Sequence, residues 1–369
     1  MRYKLLGNSG LRVSELCLGT MTFGEDWGWG ASREESRGIY QAFLDAGGNF
    51  IDTANVYTNG SSEALLGEFM GGERQRIVLA TKYTCSRQPA NDPNSGGNHR
   101  KNMVQAIEGS LKRLKTDYID LYWLHVWDFL TPVEEVMRAF DDLTRAGKIL
   151  YAGISDTPAW IVSRANTMAS LRGWTPFVGL QMEYNLVERT PERELLPMAQ
   201  ALGVGVTAWS PLAGGVLTGK YQPGAGGSPE AGPRRMDHPS RAEFPRPDQR
   251  TEAIVETVLA VARESDRTAA QVALNWIRQQ PGGVIPIVGA RSLAQFKDNL
   301  ACQDFALGDR QLERLNAASR IEPGFPHKVY SRQRIRQMVY GGVQDLIDGP
   351  IAAGYGRADA EVAGDREAA

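Results

Sequence analysis

Short apolar runs alternate with longer amphipathic segments along almost three hundred residues of this chain. The runs are ELCLG (15–19), NFIDT (49–53), RIVLATK (76–82), YIDLYWLH (118–125), KILYAGIS (148–155), FVGLQ (177–181), VGVTAWS (204–210) and GVIPIVG (283–289). Each has the length and apolar character of a strand buried on both faces. Between them lie helical patterns. SREESRGIYQAFLDAG opens on Ser32 as an N-cap and closes on Gly47, and PVEEVMRAFDDLTRAGK starts at Pro132 and ends at Gly147. Strands that alternate with capped crossover helices predict a parallel sheet. An open doubly wound sheet and a closed (β/α)8 TIM barrel both satisfy that pattern, and the count of eight favours the barrel. The open sheet would also require G-x-G-x-x-G after the first strand. LGTMTFGEDWGWGASRE stands there and lacks that spacing. The opening RYKLLGNSGLRVSEL reads as a hairpin around Asn-Ser-Gly, expected to close the bottom of the barrel.

Two segments break the rhythm. Residues 221–250 contain six prolines and four glycines, so they predict a long loop over the C-terminal face, either a lid or a disordered insertion. The end, GRADAEVAGDREAA, is small and charged without periodicity and is expected to be disordered. The expected organisation is one barrel domain over 1–330 and a C-terminal extension over 331–369.

Composition narrows the partners. With 41 basic against 43 acidic residues there is no overall field to hold nucleic acid or an anionic membrane, which favours a small-molecule partner. Cys17, Cys85 and Cys302 are too far apart for a C-x-x-C metal site or a disulfide scaffold, and the four histidines form no H-x-x-x-H pair, so no metal is expected. The N-terminus lacks the apolar run of a signal peptide, and no stretch approaches the about 18 apolar residues of a membrane span. A cytoplasmic protein is expected, with homo-oligomerisation left open.

Active sites of such barrels gather at the carboxyl ends of the strands. The second run ends in Asp52, with Tyr57 five residues on; the third ends in Lys82 and the fourth in His125. Singly, each has a structural explanation: a turn cap, a lysine reaching to solvent, a satisfied core histidine. Together they suggest chemistry. Lys82 and Asp52 would sit on adjacent strands and pair, and the ammonium would lower the phenol pKa of Tyr57 from its ordinary value of about 10. Tyr57 could then protonate a developing alkoxide while His125 positions a carbonyl oxygen. The set fits carbonyl reduction by hydride from a nicotinamide.

These residues carry a resemblance to the aldo-keto reductases, running from about residue 2 to 320. FIDTANVYTNGSSEALLGE keeps D-T-A-x-x-Y followed by S-E-x-x-L-G, with Asp52, Tyr57, Ser62, Glu63 and Gly67; LATKY supplies Lys82 and YIDLYWLHVWD supplies His125. The resemblance implies a catalytic tetrad of Asp52, Tyr57, Lys82 and His125, with Tyr57 as general acid. It also accounts for GGVLTGKY (214–221). That stretch has P-loop spacing but carries Tyr221 where a P-loop needs Ser or Thr on magnesium. In this family WSPLAGGVLTGKY would lie against the pyrophosphate of NADPH, the implied cofactor. Trp209 would stack on the nicotinamide, Ser210, Pro211, Leu212, Gly214, Leu217 and Lys220 would line the cofactor, and Ser155 and Gln181 would hold its carboxamide. Gly19, Thr20, Met21, Asp52 and Gly289 complete the implied cofactor set. Arg291, Gln295 and Asn299, four residues apart, match the pattern for a 2′-phosphate, with Arg291 as the charged fork. One departure stands out: Asp156 occupies a position where the family often has Asn.

For the substrate pocket the expected lining is Trp27, Trp29, Tyr83, Trp127 and Phe129, together with the tail HKVYSRQRIRQMVY. HVWDFLTPVEEVM and GISDTPAWIVSRANTMA resemble most the aryl-alcohol dehydrogenase branch, which implies aromatic or bulky aldehydes and ketones. A sugar or biosynthetic ketoreductase shares the scaffold. So does a channel β-subunit-like regulatory protein, which would carry an extension before the barrel.

Overall fold

The computed structural model describes residues 1–87, 91–222 and 248–347. Strands β1 (Tyr3–Leu5) and β2 (Arg12–Ser14) pair antiparallel as the N-terminal hairpin. Every one of the eight apolar runs then contains a strand: β3 (Cys17–Gly19), β4 (Phe50–Asp52), β5 (Val78–Lys82), β6 (Ile119–Leu124), β7 (Ile149–Ser155), β8 (Phe177–Glu183), β9 (Gly205–Trp209) and β10 (Ile285–Val288). They are parallel and follow chain order around a closed barrel, with β10 returning to β3. The (β/α)8 class is therefore the observed one.

Helices α1 (Arg33–Asp45), α2 (Ser61–Met70), α3 (Arg100–Leu114), α4 (Val133–Arg145), α5 (Ala159–Arg172) and α6 (Leu195–Leu202) make the crossovers up to β9. Two helices, α7 (Gln249–Ser265) and α8 (Ala269–Arg278), precede β10, and α9 (Leu293–Leu300) and α10 (Asp309–Ser319) follow it. Ser32 caps α1 by accepting from the Glu35 amide, and Gly47 takes φ 82° just past its end. Only a residue tolerant of the left-handed region ends a helix that way at low cost.

Side chains alternate between two cores along each strand, as a parallel strand covered on both faces requires. Leu79, Tyr122, Leu124 and Ile154 face the helices. Val78, Ala80, Leu121, Trp123, Ile285 and Ile287 fill the barrel, joined from below by Leu6 and Val13 of the hairpin region. Asn8 donates to the Gly203 carbonyl at 2.7 Å, which fixes this region against the amino end of β9. The hairpin thus closes the barrel bottom. The indole of Trp123 crosses the interior in the space left by two glycines. A methyl added at Gly153 would lie 2.3 Å from Trp123 Cε3, and one at Gly179 would lie 2.8 Å from its Cη2.

The chain divides into two compact units, Met1–Arg320 and Ile321–Ala369. In the second, His327–Tyr330 and Gln333–Val339 are short helices. Most of the 221–250 segment and the last residues of the chain lie outside the described residues. Among those described, no helix is long and apolar enough to cross a membrane.

Gly153→Ala is expected to destabilise the protein by about 1–3 kcal/mol through overpacking against Trp123. Urea unfolding measures this. Gly10→Ala, where nothing lies within 4 Å of the added methyl, should leave the midpoint in place.

Candidate active site

The register of the barrel brings the polar strand ends together. Asp52 stands beside Gly19 of β3 and Ala80 of β5, and Lys82 lies two residues beyond Ala80 on the same inward face. Lys82 is wholly buried, and all three of its ammonium donors are used. They go to Asp52 Oδ2, to the Thr53 carbonyl at 2.9 Å and to the Tyr57 hydroxyl at 3.1 Å. Asp52 accepts at its other oxygen from Gln181 Nε2 at 3.0 Å. Each ammonium hydrogen of Lys82 and each oxygen of Asp52 thus has a partner, which helps a buried ion pair hold its charges.

Tyr57 reaches Lys82 because the chain turns sharply after it. Thr58, Asn59 and Gly60 take φ of 44°, 55° and 99° in succession. A β-branched residue is rarely found there. Thr58 is held by donating to the Phe23 carbonyl at 2.6 Å and accepting from the Ser62 amide at 3.0 Å, and Arg87 holds the Asn59 carbonyl at 2.7 Å. His125, just past β6, sets its ring edge-on to Tyr57 with centroids 5.9 Å apart. Its backbone amide donates to Thr84 Oγ1 at 3.2 Å, and its Nδ1 is buried without a partner.

The electrostatics correct one expectation. Burial opposes the Lys82 ammonium, but Asp52 and then Tyr57 outweigh it, and its pKa rises. The phenol of Tyr57 does not become more acidic. Burial raises its pKa, Lys82 only partly offsets that, and Asp52 adds to the rise. The hydroxyl therefore stays protonated, a loaded donor beside a fixed cation. For His125, burial and then the Lys82 charge push the pKa down to about 3, so the imidazole is neutral.

These groups open on a cavity of about 630 Å³ at the barrel mouth. Asp52, Tyr57 and His125 line it. So do Gly19, Thr20, Met21, Ser155, Gln181, Trp209, Ser210, Pro211, Leu212, Gly214, Lys220, Gly289, Arg291, Gln295 and Asn299. Lys82 lies behind this surface and is reached through Tyr57. The residues present fit a dinucleotide. Ser155 Oγ is buried without a partner next to the cavity-lining Gln181 amide, as a carboxamide site would need. Gly214 and Gly215 take φ of 65° and 94°, and a side chain at Gly215 would lie 2.7 Å from Lys220 Nζ, so the loop is bare where an anion would approach. Ser292 caps α9 by accepting from the Gln295 amide, and the Arg291 amide donates to Gln295 Oε1 at 3.3 Å. Among the described residues no cluster of His, Cys, Asp or Glu could hold a metal.

Some sequence-based assignments do not hold. Leu217 is fully buried in the outer core and does not line the cavity. Tyr83 follows the inward Lys82 and so points outward; it stacks on Tyr122 at 5.4 Å and donates to the Asn98 carbonyl. Trp127 is buried on the helix side, and Phe129 is 70 % exposed at φ 57°, away from the lining. Of the tryptophan pair, only Trp29 borders the cavity; Trp27 packs against it with centroids 5.7 Å apart. Sequence reasoning missed Thr22, Thr268, Ala269, Ala270, Leu274 and Asp298, which also line the cavity. Most of these come from the start of α8. Its capping box, Thr268 with Gln271, is a readable signal for a helix N-terminus there.

Comparison with known proteins gives the chain's family. The Aldo/keto reductase family model matches residues 15–320. An aryl-alcohol dehydrogenase of Pestalotiopsis microspora is 36% identical over 336 residues, covering 89% of this chain and 84% of the relative. Norsolorinic acid reductase B of Dothistroma septosporum is 37% identical over 342 residues, covering 90% and 85%. An aryl-alcohol dehydrogenase [NADP(+)] of Phanerodontia chrysosporium is 36% identical over 344 residues, covering 89% and 88%.

The low proton affinity of His125 makes stability depend on pH. An unfolded imidazole takes its proton near 6.5 while the folded one refuses it down to about 3, so stability present above 6.5 is lost as pH falls through that window. His125→Gln is expected to flatten the decline of the urea midpoint between about pH 7 and about pH 4. An identical slope in both proteins would contradict a neutral His125.

Proposed function

The chain belongs to the aldo/keto reductase family, and from that premise we propose that this oxidoreductase uses NADPH to reduce the carbonyl of an aromatic or bulky aldehyde or ketone to an alcohol, with Tyr57 as the general acid. The observation that carries the reading is the Tyr57 hydroxyl, 3.1 Å from the buried Lys82 ammonium at the wall of the cavity.

When bound, the nicotinamide supplies the hydride. The chain's own residues do the rest. Trp209, Ser155 and Gln181 form the wall against which the ring and its carboxamide would lie. The neutral imidazole of His125 can hydrogen-bond a carbonyl oxygen without offering it a competing positive charge. As the carbonyl carbon accepts hydride, its oxygen gains negative charge and takes the proton from Tyr57. The phenolate left behind faces Lys82, whose charge is ready before the reaction begins, so its stabilisation needs no reorganisation. Asp52 keeps that ammonium charged and aimed.

Arg291, Gln295 and Asn299 at α9, with Lys220 after β9, are the groups suited to the phosphates, and Arg291 is the fork suited to a 2′-phosphate. The aromatic reading is supported by Trp29 and Trp209 in the cavity wall and by relatives whose names specify an aryl alcohol and norsolorinic acid. The names of these relatives likewise favour small-molecule turnover over a channel-regulatory role.

Tyr57→Phe is expected to lower kcat for aldehyde reduction by about 10²–10⁴-fold, the range of a lost general acid. NADPH binding, followed by fluorescence titration, should persist. Retention of full reduction by this variant would remove Tyr57 from its role. Separately, Arg291→Ala should raise KM for NADPH by at least tenfold more than for NADH; equal effects would argue against a 2′-phosphate contact.

A further inference from the structure

Thr84, two residues past β5, has a backbone φ of 83°, in a region where a β-branched residue is rarely found. Such a conformation persists only where surrounding bonds impose it. Here they come from two sides. The Thr84 carbonyl accepts from the Gly97 amide at 2.8 Å and from Asn102 Nδ2 at 3.2 Å. Its hydroxyl oxygen accepts twice, from Asn98 Nδ2 at 3.0 Å and from the His125 backbone amide at 3.2 Å. Thr84 and Asn98 are both buried, so these bonds do not compete with solvent.

The Asn98 side chain reaches past His125 as well. Its Nδ2 also donates to the Val126 carbonyl at 2.9 Å, and its Oδ1 accepts from the Asp128 amide at 2.8 Å. Asp128 in turn accepts from the Asn98 amide at 2.7 Å and from the Leu130 and Thr131 amides at 2.9 Å. The backbone after β6 is therefore pinned at His125 and on its far side. The imidazole has no such anchor at Nδ1, which is buried without a partner, and its ring meets Tyr57 edge-on. Where the ring stands thus depends on the backbone that carries it, and that backbone is held at His125 by the Thr84 hydroxyl.

We propose that Thr84 is a positioning residue for the reduction: its hydroxyl, held by Asn98, fixes the His125 amide and so sets where the imidazole stands against Tyr57 in the cavity. This rests on the carbonyl-reduction reading above. Thr84 is not among the residues that line the cavity, so it acts through His125 and not by touching a ligand. A donor to a carbonyl oxygen works only within a narrow range of distance and direction, so a small displacement of the ring costs rate and spares cofactor binding.

The test uses the full chain with NADPH and benzaldehyde. Thr84→Val keeps the shape and loses the hydroxyl; it is expected to lower kcat by about 10–100-fold with the NADPH Kd, from fluorescence titration, unchanged. Thr84→Ser restores the acceptor and should recover most of that rate. Thr84→Gly suits the same φ and lacks the hydroxyl, so it serves should Thr84→Val fold poorly, and it should lose rate likewise. In a His125→Gln background, Thr84→Val should cost no more than about twofold, because the two residues act in series. An equal loss in both backgrounds, or no loss in either, overturns the proposal.

A second readout needs no turnover. Burial and the Lys82 charge keep the His125 imidazole neutral down to about 3. Release of its backbone admits water to the ring, so its NMR titration midpoint, identified by the signal missing from His125→Gln, should rise in Thr84→Val and Thr84→Gly and stay in place in Thr84→Ser. Should the wild type reduce no aldehyde, the reductase reading fails, while a midpoint that moves only without the hydroxyl still supports the hold on His125. A midpoint shared by wild type and all three variants overturns it.

Discussion

A lysine wholly buried in the mouth of an apolar barrel is the constraint on which the rest of the site depends. Its charge is tolerable only because β4 and β5 are neighbours in register, so that Asp52 meets Lys82 and the remaining donors find the Thr53 carbonyl and the Tyr57 hydroxyl. Removing Asp52 would leave the buried ammonium without its counter-charge. Gln181, three strands further round from β5, also spends its amide on Asp52, which ties β8 to the same network. The barrel closure and the chemistry are in this sense one problem: the strand order that buries the aliphatic side chains also assembles the charges.

That network gives Tyr57 a character different from the one its neighbours suggest in sequence. An adjacent ammonium lowers a phenol pKa in water, but here burial of the phenol outweighs it and Asp52 shields it. The hydroxyl keeps its proton, and the ammonium beside it would stabilise a phenolate were that proton to leave. Neutral His125 fits the same pattern, since a second positive charge so close to Lys82 is disfavoured by both burial and repulsion.

How much of this was readable from residues alone depends on how local each signal is. The strands were legible as short apolar runs, and the helices between them because Ser32 and Gly47, or Pro132 and Gly147, bound amphipathic stretches. The grouping of Asp52, Lys82 and His125 was legible because each interrupts an apolar pattern at or just past a strand end, with Tyr57 five residues beyond the first. The pocket wall was less so. Tyr83 could have been excluded by carrying the two-residue alternation one step past Lys82, since a residue following an inward lysine faces the helices. Trp127 and Phe129 could not, because the left-handed turn at Phe129 that directs the loop is a tertiary outcome. The contribution of α8 depends on where a helix distant in sequence arrives, and only its capping box announced an N-terminus there. The net effect of burial and charge on Tyr57 likewise requires coordinates.

The stopper beneath the site has its own consequence. The hairpin seals one end of the barrel, and above it Trp123, seated over Gly153 and Gly179, fills the lumen two residues below His125. A ligand that enters this cavity therefore meets a solid floor and would leave by the opening through which it came. Were two ligands stacked in such a vessel, the deeper one would depart after the shallower.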